Sequence, residues 1–279
     1  MTAEAWCSLP GSAIRTAAAR PPQTHSRLFT STPTASDRGK QSLLPVIILF
    51  AKAPVPGRVK TRLSPAVDLV SAAELHRAFV LDMIESLLPL SETAELELST
   101  DVSTPAWPEA SVTRSLQTGG DLGARLYHAL SRALALGHPR ALVLGSDAPT
   151  LPPYAVGELL AAGADVALGP TEDGGYYGIA CQRVHPEMFA GVRWSTPHTL
   201  ADTAQGIRRC GLSVAFGTPW FDVDEPSDLE RLRQLPALPR HTAAWFESRG
   251  ARISRAACRP CPTPLPGRRP TPGRGGSQS

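Results

Sequence analysis

The feature that most constrains the fold is an alternation of short, continuously apolar runs with longer segments of helical periodicity. LLPVIILFA (43–51), RALVLGSD (140–147) and ADVALGP (164–170) read as buried strands, AELELST (94–100) alternates like a strand, and SVTRSLQT (111–118), YYGIACQR (176–183) and LSVAFG (212–217) suit further strands. Between them, SAAELHRAFVLDMIESLLPL (71–90), DLGARLYHALSRALALG (121–137), PPYAVGELLAAG (152–163), TPHTLADTAQGIRRCG (196–211) and PSDLERLRQL (226–235) carry helical spacing, with Asp121 as a plausible N-cap and Gly137 as a stop. Strands that are apolar throughout need cover on both faces. The expected architecture is therefore α/β, a three-layer sandwich around a mostly parallel central sheet. Ligands of such sheets sit beyond the carboxyl ends of the strands, so the chemistry is expected in the loops that follow strands.

The flanks differ from this middle. Residues 1–42 are rich in Ala, Ser, Thr, Pro and Arg without periodicity, and 251–279 are mostly Pro, Arg, Gly, Ser and Thr; both are expected to be disordered around a single domain at 43–250. The acid-poor N-terminus is also compatible with an organelle transit peptide, or with a start placed too far upstream. Of 28 Lys and Arg and 25 Asp and Glu, residues 1–42 and 249–279 hold twelve cations and two acids; 16 cations and 23 acids remain, so the middle carries about −7 while the chain as a whole is +3. The basic character belongs to the tails, which argues against a nucleic-acid-binding face. No apolar run is long enough for a transmembrane segment. Five cysteines, an odd number, suit a reducing, cytoplasmic setting, and Cys258 and Cys261 have CxxC spacing without the second pair that would close a zinc site.

Four loops after strands carry the candidate chemistry. FAKAPVPGRVKTRLSP (50–65) places Lys52, Arg58, Lys60 and Arg62 before a helix with no acid among them. Cations there oppose the helix dipole, so their natural partner is an anion such as phosphate, with Gly57 allowing close backbone approach; a solvated basic loop is the plain alternative. In LGSDAPTLP (144–152), Asp147 follows an apolar strand, where it can hold a hard divalent cation or simply form the turn before Pro149. GPTEDGGYYGIA (169–180) sets Glu172 and Asp173 before Gly174, Gly175 and Tyr176; this is compatible with a ligand loop and with a hairpin turn. In FDVDEPSDLERL (221–232), Asp222 and Asp224 point to one side if the segment is extended, and Asp224 or Glu225 can cap the helix begun by Pro226.

Together AKAPVPGRVKTRL, GSDAPTLP, GPTEDGGYYGIA, WSTPHTLADT and DVDEPSDLERL resemble the motifs of a bacterial family of type A-fold glycosyltransferases, the radical-SAM/selenium-domain-associated transferases, within the nucleotide-diphospho-sugar transferase superfamily. The resemblance spans roughly Leu43 to Leu235, and the segment from Lys60 is more distantly similar to phospholactate guanylyltransferases. It implies that Lys52, Gly57, Arg58, Lys60 and Arg62 meet donor phosphates, that Gln117, Gly120 and Gly123 of LQTGGDLGARL read the base, and that Asp147 and Asp224, with Asp222, hold magnesium or manganese. Pro and Ala stand here where the related nucleotidyltransferases have a Gly-rich opening, so their exact phosphate geometry is not carried over to this chain. Trp194, with Ser195 and Thr196, is placed at the acceptor together with Gly174, Gly175 and Tyr176, although Ser195 or Thr196 also suits a helix cap and His198 a surface position inside the first turn.

The function this implies is transfer from a nucleotide-activated donor to a small-molecule acceptor. A nucleoside diphosphate sugar would release a nucleoside diphosphate, with Asp173 or Glu172 taking the acceptor proton. Guanylyltransferase-like joining of a nucleoside triphosphate to a phosphorylated acceptor would release pyrophosphate. A non-catalytic nucleotide-binding module would be expected to lack the metal acids, and all three are present.

Overall fold

The computed structural model describes residues 43–64 and 66–256. Seven strands form one sheet: β1 (Val46–Ala51), β2 (Glu95–Thr100), β3 (Thr113–Leu116), β4 (Ala141–Gly145), β5 (Val166–Pro170), β6 (Tyr176–Cys181) and β7 (Val214–Phe216). Their spatial order is β3-β2-β1-β4-β6-β5-β7, and every pairing is parallel except those of β6 with β4 and β5. The helices are α1 (Leu69–Leu87), α2 (Leu122–Ala135), α3 (Pro153–Ala161), α4 (Thr199–Arg209), α5 (Pro226–Arg233) and α6 (Arg240–Ala256).

Alternate residues of β1 feed opposite layers. Ile47 and Leu49 pack with Val80, Met83 and Ile84 of α1 and Val156 and Leu159 of α3, whereas Val46, Ile48 and Phe50 pack with Leu126 and Leu130 of α2 and Ile207 of α4. All six β1 side chains are buried, as the uninterrupted apolar run requires. The expected α/β sandwich is therefore the fold, and Asp121 caps α2 by accepting from the Ala124 amide at 2.7 Å.

Two features were not legible. His198 precedes α4 as its N-cap residue instead of lying inside its first turn. α6 was not expected at all, and it crosses the boundary drawn at residue 250. Its first turn is satisfied from a distance: buried Asp82 of α1 accepts from the His241 and Thr242 amides, each at 2.8 Å, and from Thr242 Oγ1 at 2.6 Å. No local capping residue announces a helix fixed in that way. Trp245 then closes a third apolar cluster with Leu63, Phe79, Val223 and Leu232. Cys258, Cys261 and the first 42 residues lie outside the described residues.

Candidate functional site

The site is assembled by a strap at the carboxyl end of the sheet. After β7, Trp220 bonds Pro170 and Glu172 through its backbone, at 3.0 and 3.1 Å, and Val223 N donates to Asp147 O at 2.8 Å. The segment therefore crosses from the end of β5 to the end of β4. Phe221 and Val223 are buried in the third cluster, so the alternating Asp222 and Asp224 share the other side, as extended backbone demands. Glu225 and Pro226 open α5, with Asp228 accepting from the Asp224 and Glu225 amides at 3.1 and 2.8 Å.

Lys60 comes to this strap from the basic loop. Its backbone is left-handed (φ 49°, ψ 36°), a conformation that costs a non-glycine residue roughly 1–2 kcal/mol. The turn sends the side chain inward, where Nζ donates to Val223 O at 2.6 Å and Asp224 Oδ1 at 2.9 Å and lies 2.5 Å from Asp147 Oδ1. Three acceptors match the three N–H donors of an ammonium. The Lys60 side chain is 3% exposed, but those of Asp147 and Asp224 are 45% and 39% exposed. Burial alone would lower the Lys60 pKa; the charges and hydrogen bonds of Asp147 and Asp224 outweigh it and raise it. Partial burial pushes the Asp147 carboxyl up, but the Lys60 ammonium, aided by His76, brings it below the usual range. Asp222 lacks such a cation: burial, then the charges of Asp173, Asp224 and Asp147, push it up to about 7. So Asp147 and Asp224 are brought together on Lys60, which was expected on phosphate, and Asp222 lies near them without the three closing to within 4.8 Å of one another.

The other loop cations are differently placed. Lys52 and Arg62 are exposed, and Arg58 lies 3.6 Å from Asp101. Asp101, which the sequence reading missed, also accepts from Ala53 N at 2.7 Å and so ties the loop to the end of β2. His76 was missed too. It is a polar residue on the buried face of α1, with Nε2 3.0 Å from Lys52 O and a buried Nδ1 that has no partner. Burial lowers its pKa, and with Nε2 facing a carbonyl the proton belongs on Nε2.

Several of the expected ligand residues make internal contacts. Gln117 donates to Ser99 O at 3.0 Å and Ala51 O at 3.3 Å, fastening strand ends. Gly57 (φ 81°) makes a turn, Gly120 faces open space, and Gly123 is where Phe189 and Trp194 pack, the former 2.9 Å from the position a Cβ would take. Trp194 is half-buried against Phe189 and Tyr176. Tyr176 is partly buried and points its hydroxyl into the interior, where burial raises its pKa. Thr196 Oγ1 donates to Arg193 O at 2.9 Å and accepts from His198 N at 3.2 Å, which closes the loop before α4; Ser195 is exposed with φ 57°.

The turn between β5 and β6 is the hairpin that Asp-Gly allowed. Asp173 Oδ1 accepts from Thr171 Oγ1 at 2.5 Å and Gly175 N at 2.9 Å. Glu172 is held by Arg231 Nη1 and Nη2 at 2.6 and 3.0 Å, which lowers its pKa, and Arg231 lies over the Phe221 ring. A second gathering of ligand-type side chains, Asp82, Glu85 and His241, is used up in capping α6 and pairing Arg240. A hollow of about 450 Å³ bounded by Leu159, Ala167, Phe216 and Gly217 contains none of the expected site residues. No helix among the described residues is long and apolar enough to cross a membrane.

The chain is similar to known proteins. A family described as uncharacterised proteins conserved in bacteria, DUF2064, matches residues 82–196. The crystal structure of a protein from Desulfovibrio desulfuricans G20, provisionally assigned as a nucleotide-diphospho-sugar transferase, is 33% identical over 76% of this chain and 97% of its own, with a TM-score of 0.65. CMP:2-keto-3-deoxy-manno-octonic acid synthetase complexed with CTP is 16% identical over 68% of this chain and 97% of its own, at a TM-score of 0.46. The inositol-1-phosphate CTP transferase of T. maritima is 13% identical over 74% of this chain and 97% of its own, also at 0.46. No curated protein sequence matches the chain.

Proposed function

Since the chain belongs to the nucleotide-diphospho-sugar transferase family of its Desulfovibrio desulfuricans relative and is a transferase, we propose that it is a metal-dependent glycosyltransferase whose donor is a nucleoside diphosphate sugar. The observation that carries the proposal is the convergence of Asp147, from the end of β4, and Asp224, from the strap, on one cationic centre.

The residues fit a divalent cation. Each of the two carboxylates gives Oδ1 to Lys60 and keeps a second oxygen on a side chain about 40% exposed. Hard oxygen donors of this kind suit magnesium or manganese. Asp147 and Asp224 would hold the ion, and when bound it would supply neutralisation of the charge on the departing diphosphate; the oxygens of Asp147, Asp222 and Asp224 do not all come within 4.8 Å of one another, so Asp222 stands beside this pair and is not a third close ligand.

The chain's own residues supply the rest. Lys52 and Arg62, both exposed, and Arg58 beside them bind the phosphates and share their charge. Asp101 and His76 orient that loop through Ala53 N and Lys52 O. Asp173 takes the acceptor proton: its Oδ1 is engaged in the turn, and its charge is felt by Asp222 across the strap. Glu172 is occupied by Arg231 and serves to fix the turn to α5. Trp194 and Ser195 border the acceptor side, where the 193–199 loop packs on Gly174.

The test is a product assay with magnesium or manganese across nucleotide sugars and nucleoside triphosphates. Nucleoside diphosphate release from a nucleotide sugar is expected. Pyrophosphate release from a triphosphate would replace glycosyl by nucleotidyl transfer, and no turnover with any donor would remove the enzymatic assignment of the site.

A further inference from the structure

Lys60 is an unusual neighbour for a metal site. A lysine meant for substrate phosphates needs access from solvent, yet this side chain is 3% exposed, and its ammonium is fully engaged by Asp147, Asp224 and the Val223 carbonyl. Its position is not a casual surface pairing. The loop adopts a left-handed residue to deliver it, and the stem runs beside the Phe79 ring, 5.5 Å from Nζ to the ring centroid. The carboxylates meanwhile remain partly exposed on the side away from the lysine. The ammonium therefore backs the acidic centre, and the exposed part of the two carboxylates is left to a ligand.

Two consequences follow from charge. One positive charge behind two carboxylates leaves that set at −1, so a divalent cation arriving alone meets a weakened attraction and the repulsion of a fixed ammonium a few ångströms behind it. A diphosphate arriving with the cation restores the balance, because its own negative charge faces both the ion and the exposed Lys52 and Arg62. Fixing the carboxylates in advance also removes the reorganisation that two mutually repelling acids would otherwise require.

We infer that Lys60 is a positioning residue, a resident counter-ion that aligns Asp147 and Asp224 in the metal-free protein and keeps divalent-cation affinity low until the cation arrives on a diphosphate. It rests on the donor-and-cation proposal above and adds the order of loading: metal and donor enter together.

The experiment is calorimetric titration of the full chain and of Lys60→Met with Mn²⁺ alone and with Mn²⁺ premixed with inorganic pyrophosphate, a diphosphate that carries no base. Lys60→Met is expected to bind Mn²⁺ alone at least about tenfold more tightly than the natural chain, which corresponds to about 1.4 kcal/mol. The natural chain is expected to take up the premixed complex in preference to the free ion, and Lys60→Arg, which keeps the charge, to stay weak toward Mn²⁺ alone. Equal Mn²⁺ affinity in the natural chain and Lys60→Met overturns the counter-ion role and leaves the transferase proposal standing; absence of binding in both proteins, with and without pyrophosphate, overturns both. Should Lys60→Met not fold, the natural chain gives a separate readout. A Lys60 ammonium resonance protected from solvent exchange in chelator, and retained when Mg²⁺ and pyrophosphate are added, is expected by NMR; an unprotected ammonium, or one released by the added ligands, overturns the inference.

Discussion

Gly174 and Pro197 touch where no side chain would fit: a Cβ on Gly174 would lie 2.3 Å from the Pro197 carbonyl oxygen. Gly174 also has φ 87°, and its own carbonyl accepts from Leu200 N at 2.9 Å, so the turn carrying Asp173 and the loop carrying Trp194 are one packed unit. Gly174→Ala should force both apart. The expected loss is about 2 kcal/mol, or a fall of roughly 4–8 °C in the thermal midpoint, with transfer activity reduced more than stability at a temperature where the protein remains folded. An unchanged midpoint would show that the two loops separate freely.

Glu172 and Asp173 are adjacent in sequence but differ in what they bond. Glu172 spends both oxygens on Arg231, whereas Asp173 uses Oδ1 within the turn. Glu172→Gln is therefore expected to hold turnover within about threefold, while Asp173→Asn lowers kcat by about 10² or more with little change in KM, as loss of a proton acceptor does. The reverse ranking in steady-state kinetics would exchange their roles.

How far the sequence discloses this molecule depends on where each structural cause lies. β1 and β4 are apolar throughout because both sheet faces are covered, and that pattern is local, so strand order aside the sandwich could be read directly. Asp222 and Asp224 likewise followed from two-residue alternation. The partner of Lys60 did not, since its two carboxylates are remote in sequence and only the strap's backbone bonds to β4 and β5 bring them within reach. α6 escaped for the same reason, its cap being Asp82 of α1. Gly123, Gly174 and Tyr176 make internal packing contacts that the sequence did not announce, because a glycine that permits close packing and a partly buried tyrosine have the same composition as residues that meet a ligand.

Asp147, Asp224 and Lys60 should behave as one unit. Asp147→Asn leaves the buried ammonium with one anionic partner and is expected to destabilise the metal-free protein by about 2 kcal/mol, less than a fully buried pair because Asp147 is 45% exposed. Asp224→Asn is expected to do the same. Either change made in Lys60→Met should cost less than in the natural chain, a coupling of at least about 1 kcal/mol in a double-mutant cycle followed by urea unfolding in chelator. Additive changes would mean that the three side chains are neighbours without being partners.

Asp222 gives the site a pH signature. Its carboxyl is pushed up to about 7 by burial and by Asp173, Asp224 and Asp147, from about 4 in an unfolded chain. A raised acid binds more protons folded than unfolded, so its favourable contribution is complete below about pH 4 and is lost as pH rises toward and through 7. Glu172 and Asp147 have the opposite shift, and their contribution changes only at lower pH, as they protonate. Between pH 5 and 8 the Asp222 effect should therefore be separable from theirs. In chelator, Asp222→Asn is expected to be more stable than the natural chain at pH 8 by roughly 2 kcal/mol, allowing for partial exposure, and close to it at pH 5. Urea midpoints measured at both pH values decide it: a gap that does not widen with pH would mean that Asp222 is ionised throughout and that its acidic neighbours are already compensated. Mn²⁺ added together with pyrophosphate should narrow the gap at pH 8, because an ion faced by Asp222 stabilises the natural chain more than Asp222→Asn, which keeps Asp147 and Asp224.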